Sequence, residues 1–391
     1  MPAFTGQLRA NLIFAALFNM IISQEVFADN IQKHQTLVDE ARVDGTLYGD
    51  QKLYYATDVL KTRPFLGDAE ASNLLAINRP KTPEVQAIVM DVFRQIDVTI
   101  DNYLTKQAWT DEGSFASFTA VTLGWLGETR RVYDGTLYNV YIGTTVTSVG
   151  AQLRTVDVTT AVGSATGLEA ARLEAGIIAE DLANLLVDMG DYRRSFNDYG
   201  FMRSYAKENL KIVWNAKYMN KIKNIDLPNI FHSGELQFHF DNYYMPAHYF
   251  GTVITSSNVA SYSASTPTTG KPLDSNGVYT PGTGNANGTL RTVYEAEVTV
   301  SSTTYHLFPG EEIPAGATVK SGGDFGLGEV YIEQDDVLCK VMTRMPPYMS
   351  AFSVGTSFFN ARSLTENHYL TFGHNTLEYL KGMPFITVKK A

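Results

Sequence analysis

Between Thr166 and Gly190 the apolar residues return every three or four positions. Leu168, Ala171, Ala175, Ile178, Leu182, Leu185 and Met189 fall on one side of a helix, with Arg172, Glu180, Asp181 and Asp188 largely off it. Thr166 and Glu169 have the spacing of a capping box, and Gly190 is a natural stop. At 1.5 Å per residue such a helix spans roughly 34 Å, enough to serve as a strut. A second helix is predicted over 81–112: Thr82 and Pro83 suit its first positions, and Val85, Val89, Val92, Ile96, Ile100 and Tyr103 recur at helical spacing. The run from Ser114 to Gly127 fits a helix or a strand. It leads into Asp134-Gly135 between Val-, Tyr- and Leu-rich runs, which predicts a β-hairpin over 129–146.

Elsewhere the pattern is that of short strands. Residues 44–65 alternate Tyr and Leu runs with Gly and Asp, as extended segments and turns do. Lys211 to Trp214 reads as a buried strand followed by a short helix, the start of a new α/β region. The tract from Ser256 to Thr289 is dominated by Ser, Thr, Gly, Asn and Pro, with only Lys271 and Asp274 charged. It reads as an exposed loop, an inserted hairpin or a mobile flap. From Arg291 onward strand-like runs continue, with aromatic strands to the C-terminus and no internal repeat.

Composition narrows the role. The 391 residues exceed the usual size of one domain, so two or three substructures are expected. Charged residues are 18% and aromatic residues 12%, a poorly charged, aromatic-rich balance that hints at covered surfaces. A formal net charge of −10 argues against a nucleic-acid-reading module, which concentrates Lys and Arg against phosphates. At the N-terminus Arg9, the apolar stretch Leu12 to Ile22 and Val26-Phe27-Ala28 imitate a secretory signal. That apolar stretch is too short to span a bilayer, and Met1 is present. The segment is therefore read as an N-terminal arm whose apolar side needs a cover.

Chemistry is hard to find. The single cysteine, Cys339, lies in the apolar run VLCKVM and reads as a buried structural thiol. The glycines of Gly323 to Gly328 lack both the phosphate-loop lysine and the dinucleotide spacing, and no nucleophile elbow, zinc-protease or EF-hand signature occurs. His232, Glu235, His239, Asp241 and His248 cluster in sequence and could in principle ligate a metal, but no common metal spacing is matched. Arg130-Arg131 and Arg193-Arg194 are basic pairs in an acidic chain. They are either a solvated face or contacts between copies, with Arg130 and Arg131 on a hairpin meeting Glu169, Glu180, Asp181 and Asp188 of a neighbour.

The order of segments, an arm, a protruding hairpin after DNYLTKQAW, one strut helix, an α/β region opening with LKIVWNAKYMNKI and a strand-rich return, resembles the major capsid protein of tailed bacteriophages. The resemblance implies an α+β chain of the Hong-Kong-97-type fold. Residues 1–80 would be the N-terminal arm and the entry to a peripheral domain, and 81–112 a peripheral helix. Residues 113–165 would hold the extended β-hairpin loop, and 166–204 the spine helix. Residues 205–345 would form the axial domain with its insertion at 256–289, and 346–391 the return to the peripheral domain. It implies a shell of hexamers and pentamers of one chain in the virion, assembled in the bacterial cytoplasm around double-stranded DNA without sequence-specific contacts. A separate scaffolding protein, a portal and possible cement proteins are the implied partners; no membrane and no cofactor is. Contacts between copies are expected at Arg130, Arg131, Glu169, Glu180, Asp181 and Asp188, with Leu12 and Leu17 from the arm. No catalytic or metal-binding residue is assigned. Relatives that weld subunits use an extended-loop lysine, and no lysine occurs between Lys106 and Lys207, so no such crosslink is expected. The alternatives are a surface adhesin, for the signal-like N-terminus and the Ser/Thr tract, and a metal-dependent enzyme using His232, Glu235 and His239.

Overall fold

A computed structural model of the chain describes residues 37–45, 49–62, 77, 79–101, 112–147, 150–219, 241–282, 287–319, 328–333 and 336–391. The arm residues Leu12 and Leu17, and His232, Glu235 and His239, lie outside the described residues. The chain divides into two units. One comprises Met1–Asp50, Met90–Gly135 and Tyr348–Thr376, the other Gln51–Val89, Thr136–Pro347 and Leu377–Ala391.

Two sequence expectations fail, and together they define the first unit. Residues predicted as a helix form one long strand, Glu84–Asp101, whose exposure alternates along its length. Ile88, Met90, Val92, Ile96, Val98 and Ile100 occupy every second position apart from Arg94, and this two-residue period and the β-branched content outweigh the weaker helical spacing. Residues predicted as a hairpin lie instead in a 33-residue helix, Glu112–Thr144. Leu126, Tyr133, Asp134, Leu137, Tyr138 and Ile142 are buried at three- and four-residue steps, so the Asp134-Gly135 pair is helical and makes no turn. The expectation of no lysine crosslink assumed an extended loop over 113–165 and loses that basis.

Four strands form the first unit's sheet, in the order β1-β13-β14-β3. β1 is Arg42–Asp44, directly after the short helix α1, Leu37–Ala41. β13 is Tyr348–Asn360, β14 is Thr365–Asn375 and β3 is Glu84–Asp101. β1 runs parallel to β13, and β13 pairs antiparallel with β14, which pairs antiparallel with β3. The long helix, α2, packs on this sheet: the Tyr133 ring meets Phe372 edge to face at 5.7 Å. Gly373 of β14 makes room for its partner on β3, because a Cβ there would lie 2.8 Å from the Phe93 ring.

In the second unit the first residues of β3 pair antiparallel with β2, Gln51–Ala56. A five-stranded sheet runs in the order β4-β15-β12-β5-β6. Its strands are β4 (Leu153–Val156), β5 (Lys211–Asn215), β6 (Asp241–Met245), β12 (Val337–Met342) and β15 (Phe385–Lys390). The expected strand at 211–214 is thus present, with helical residues after it at 216–219. A one-turn helix, α3 (Thr159–Val162), precedes the expected strut, α4 (Gly167–Gly190). Ile178, Leu182, Leu185, Leu186 and Met189 of α4 join Ile212, Trp214, Leu338, Cys339, Val341, Ile386 and Val388 in the main core. Each such side chain contributes on the order of 2 kcal/mol by leaving water. The expected capping box does not form: Thr166 is the N-cap residue but its side chain makes no capping bond, and Leu168 is exposed.

A second core in the same unit lies around the three-stranded sheet β7-β11-β8, made of β7 (Gly251–Val253), β8 (Leu290–Thr292) and β11 (Val330–Glu333). The hairpin β9 (Ala296–Val300) and β10 (Thr303–Leu307) contributes Val298 and Leu307 to it. Ser301 and Ser302, with φ of 50° and 68°, make the two-residue turn, the left-handed geometry that matches strand twist. The Ser/Thr/Gly tract is anchored to this core: Leu273 and Tyr279 are buried in it, and Leu273 bridges to Ser263 and to Tyr279. The Asp274 carboxylate accepts from the amides of Asn276 and Val278, which closes the turn at Gly277.

Candidate functional site

In the first unit Arg130 and Asp134 of α2 point inward. Asp134 is 1% exposed and accepts from the Tyr348 hydroxyl at 2.6 Å and from Arg42 Nη2 at 3.1 Å. Arg130 reaches the same carboxylate at 3.7 Å, donates to Ser350 Oγ at 2.8 Å and lays its guanidinium 5.0 Å over the Phe372 ring. Beside them His374 Nδ1 lies 2.9 Å from the Asn375 carbonyl, which can only accept, so Nδ1 carries the proton. Its Nε2 then accepts from the Tyr133 hydroxyl at 3.0 Å. Burial holds the His374 pKa below its ordinary value, and burial raises that of Tyr348. The arrangement is a polar network joining α2 to β1, β13 and β14, satisfied except at Arg130 Nε, which is buried without a hydrogen-bond partner among the described residues. Asp134 and His374 both spend their capacity on fixed partners, which suits registration of elements and not proton transfer.

Beside this network lies a cavity of about 620 Å³ lined by Arg42, Leu126, Arg130, Arg131, Asp134 and His368, with further residues of β13 and β14. Arg131 is exposed and in no ion pair among the described residues.

The expected acidic partners divide into two sorts. Asp181 pairs with Arg154 and Asp188 with Arg193 at 2.9 Å, both within the second unit. Glu169 and Glu180 are exposed and in no ion pair among the described residues. Arg193 also lies 3.7 Å from Asp191, and Arg194 holds Asp58 at 2.6 Å, pulling that carboxyl down to about 2. The hairpin expected to carry Arg130 and Arg131 does not exist, and Arg130 is committed internally.

The surfaces with unfilled capacity are apolar, and the sequence reading missed them. On the β2–β3 pair Leu53 faces Ala87 and Tyr55 faces Val85 across the strands, with Val89 beyond. These side chains share one face, where Leu53, Tyr55 and Val85 are 46%, 66% and 48% exposed. The opposite face, with Gln86 and Ile88, is buried; Gln86 bonds the Tyr379 carbonyl at 2.9 Å. In the first unit the tip of the β13–β14 hairpin exposes Phe358 and Phe359 at 63% and 51%, beside Leu364 with φ of 57°. Strand alternation at residues 51–56 would have revealed the first patch: Leu53 and Tyr55 fall on one side of the pleat.

Reactive groups are few. Cys339 is fully buried in the main core, and burial drives its thiol pKa up, away from thiolate chemistry. His248, half-buried, has its pKa lowered by burial and then by Arg291. Among the described residues no group of three His, Cys, Asp or Glu could hold a metal ion, and no helix is long and apolar enough to cross a membrane.

No protein-family model matches the sequence, and no curated protein matches it. Solved structures do match. A chain from the capsid structure of Staphylococcus phage Andhra superposes with a TM-score of 0.55 at 10% identity, over 91% of this chain and 84% of the other. A chain from the structure of the head fiber and inner core protein gp22 of bacteriophage P68 gives 0.51 at 10% identity, over 89% and 82%. The chain therefore has an α+β fold found in tailed-phage particles, and it has it over nearly its full length.

Proposed function

We propose that this chain is a structural subunit of a tailed-phage capsid, which packs with copies of itself, as hexamers and pentamers, into a shell around double-stranded DNA. The observation that carries the reading is the superposition on a chain of the Andhra capsid over 91% of the sequence. Two further features support it. The buried polar groups are spent on holding elements together, as in a load-carrying part, and the β2–β3 face and the β13–β14 tip leave apolar area open. A net charge of −10 is compatible with a shell that must not adsorb packed DNA. A separate scaffolding protein, a portal and cement proteins belong to the proposal as partners in closing the shell.

The β2–β3 face gives the test. Leu53→Ser with Tyr55→Ser removes exposed apolar area and leaves the buried face intact. Sedimentation of wild type and variant in parallel should show assemblies for the wild type and at least a tenfold higher concentration threshold for the variant. Equal thresholds would remove this face from assembly, and a wild type that never assembles would remove the reading itself.

A further inference from the structure

Three cationic or ring side chains line the first unit's cavity beyond what its single buried carboxylate can satisfy. Arg130 Nε and His368 Nε2 are both buried and have no hydrogen-bond partner among the described residues; a carboxylate oxygen lies 3.7 Å from each, on Asp134 and Glu366. Asp134 already accepts from Arg42 and Tyr348. Arg131 adds an exposed guanidinium on the same lining. Arg130 Nε can only donate, and a buried donor without an acceptor is destabilising by about 1–3 kcal/mol, so a site that keeps it beside an open cavity is complete only with an added acceptor. The chemistry that fits is a carboxylate, which can take two guanidinium or imidazole donors at once.

We infer that this cavity receives a glutamate side chain from helix α4 of a second copy of the chain, an inference that rests on the self-assembly reading above. The acid follows from what each copy leaves open. Of the five acids on α4, Glu174, Asp181 and Asp188 are held by Lys390, Arg154 and Arg193. Glu169 and Glu180 are eleven positions apart, close to three full turns, and so stand on one face of the helix. That face also exposes Leu173 and Val187, at 41% and 62%. A helix face bearing two open carboxylates and exposed aliphatic groups complements a cavity rimmed by Arg131 and Leu126. DNA phosphate is the poorer occupant, because a chain of net charge −10 repels a polyanion at long range.

The test is a charge swap in full-length protein, read by the concentration at which assemblies appear. Arg131→Glu should raise that threshold about tenfold, and Glu180→Arg or Glu169→Arg should do the same; combining Arg131→Glu with the correct partner reversal should bring it back toward wild type. All of these positions are exposed, so far-UV circular dichroism and thermal unfolding should match wild type. Wild-type thresholds for Arg131→Glu, or failure of both combinations to rescue, would overturn the inference while leaving the assembly reading standing. Arg131→Glu that assembles normally but binds a DNA oligonucleotide more weakly than wild type would overturn it in favour of phosphate. A wild type that does not assemble would end both.

Discussion

Lys340 is the one lysine among the described residues whose side chain lies wholly inside a core, and its energetics can be worked from its surroundings. It sits in β12 between Val213 of β5 and Thr387 of β15. Its ammonium donates to Thr387 Oγ1 at 2.9 Å and to the Thr145 carbonyl, and lies 5.7 Å from the centre of the Phe385 ring. Among the described residues no carboxylate bonds it. Burial pushes its pKa from 10.5 down to about 7. Between those values the unfolded chain binds a proton that the folded chain does not, so stability rises with pH across that window, and the penalty is fully present below about pH 7. Linkage puts the gain at about 2 kcal/mol between about pH 7 and about pH 9, below the range where tyrosines ionise. Lys340→Met keeps the length of the side chain and removes the charge. Thr387 Oγ1 stands 3.5 Å from the Thr145 carbonyl and can take over as its donor. The variant should therefore be more stable than wild type at neutral pH, by about 2 kcal/mol once lost hydrogen bonds are set against the relieved desolvation, and should lack the rise between about pH 7 and about pH 9. Urea unfolding of unassembled protein, followed by fluorescence of Trp214 on the adjacent strand, measures both quantities. A wild type with no pH slope, or a methionine variant that is less stable at neutral pH, would refute the reasoning.

Other expectations follow from single contacts. A Cβ on Gly143 would stand 2.0 Å from the Tyr249 carbonyl oxygen, so Gly143→Ala should lower the urea midpoint by an amount equivalent to about 2–3 kcal/mol. Tyr133→Phe strips the donor from buried His374 Nε2 and should be destabilising by about 1–3 kcal/mol in the same assay. Because burial depresses the His374 pKa below its ordinary 6.5, its contribution is full above that value and declines as pH falls through it. His374→Gln should remove that acid-side slope, which unfolding at a series of pH values would show. Phe358→Ser with Phe359→Ser should leave thermal unfolding unchanged, since both side chains are exposed, and should weaken assembly seen by sedimentation.

How much of this was legible in the sequence depends on where each residue's partner sits. The body of α4 was readable because Ile178, Leu182, Leu185 and Met189 carry their own period and pack on one sheet. Its start was not: Thr166 has the right spacing for a cap but makes no capping bond. Strand β3 contained two periods at once, and the choice between them was settled by β14, whose sequence lies more than 260 residues later. Asp134-Gly135 imitated a turn because the reasons for an aspartate inside a helix, Arg42 and Tyr348, are distant in the chain. The same distance hid the direction of Arg130, which sequence alone placed on a surface. Of the expected contact residues the fold leaves Arg131, Glu169 and Glu180 open and occupies Arg130, Asp181 and Asp188.

The central claim is that this chain builds a shell from copies of itself, and the most direct measurement is the size and shape of the purified wild-type protein across a concentration series. Light scattering and negative-stain microscopy should show rings, tubes or closed shells appearing above a threshold concentration, alone or with a scaffolding partner. A protein that stays monomeric at every concentration and with every such partner would contradict the account.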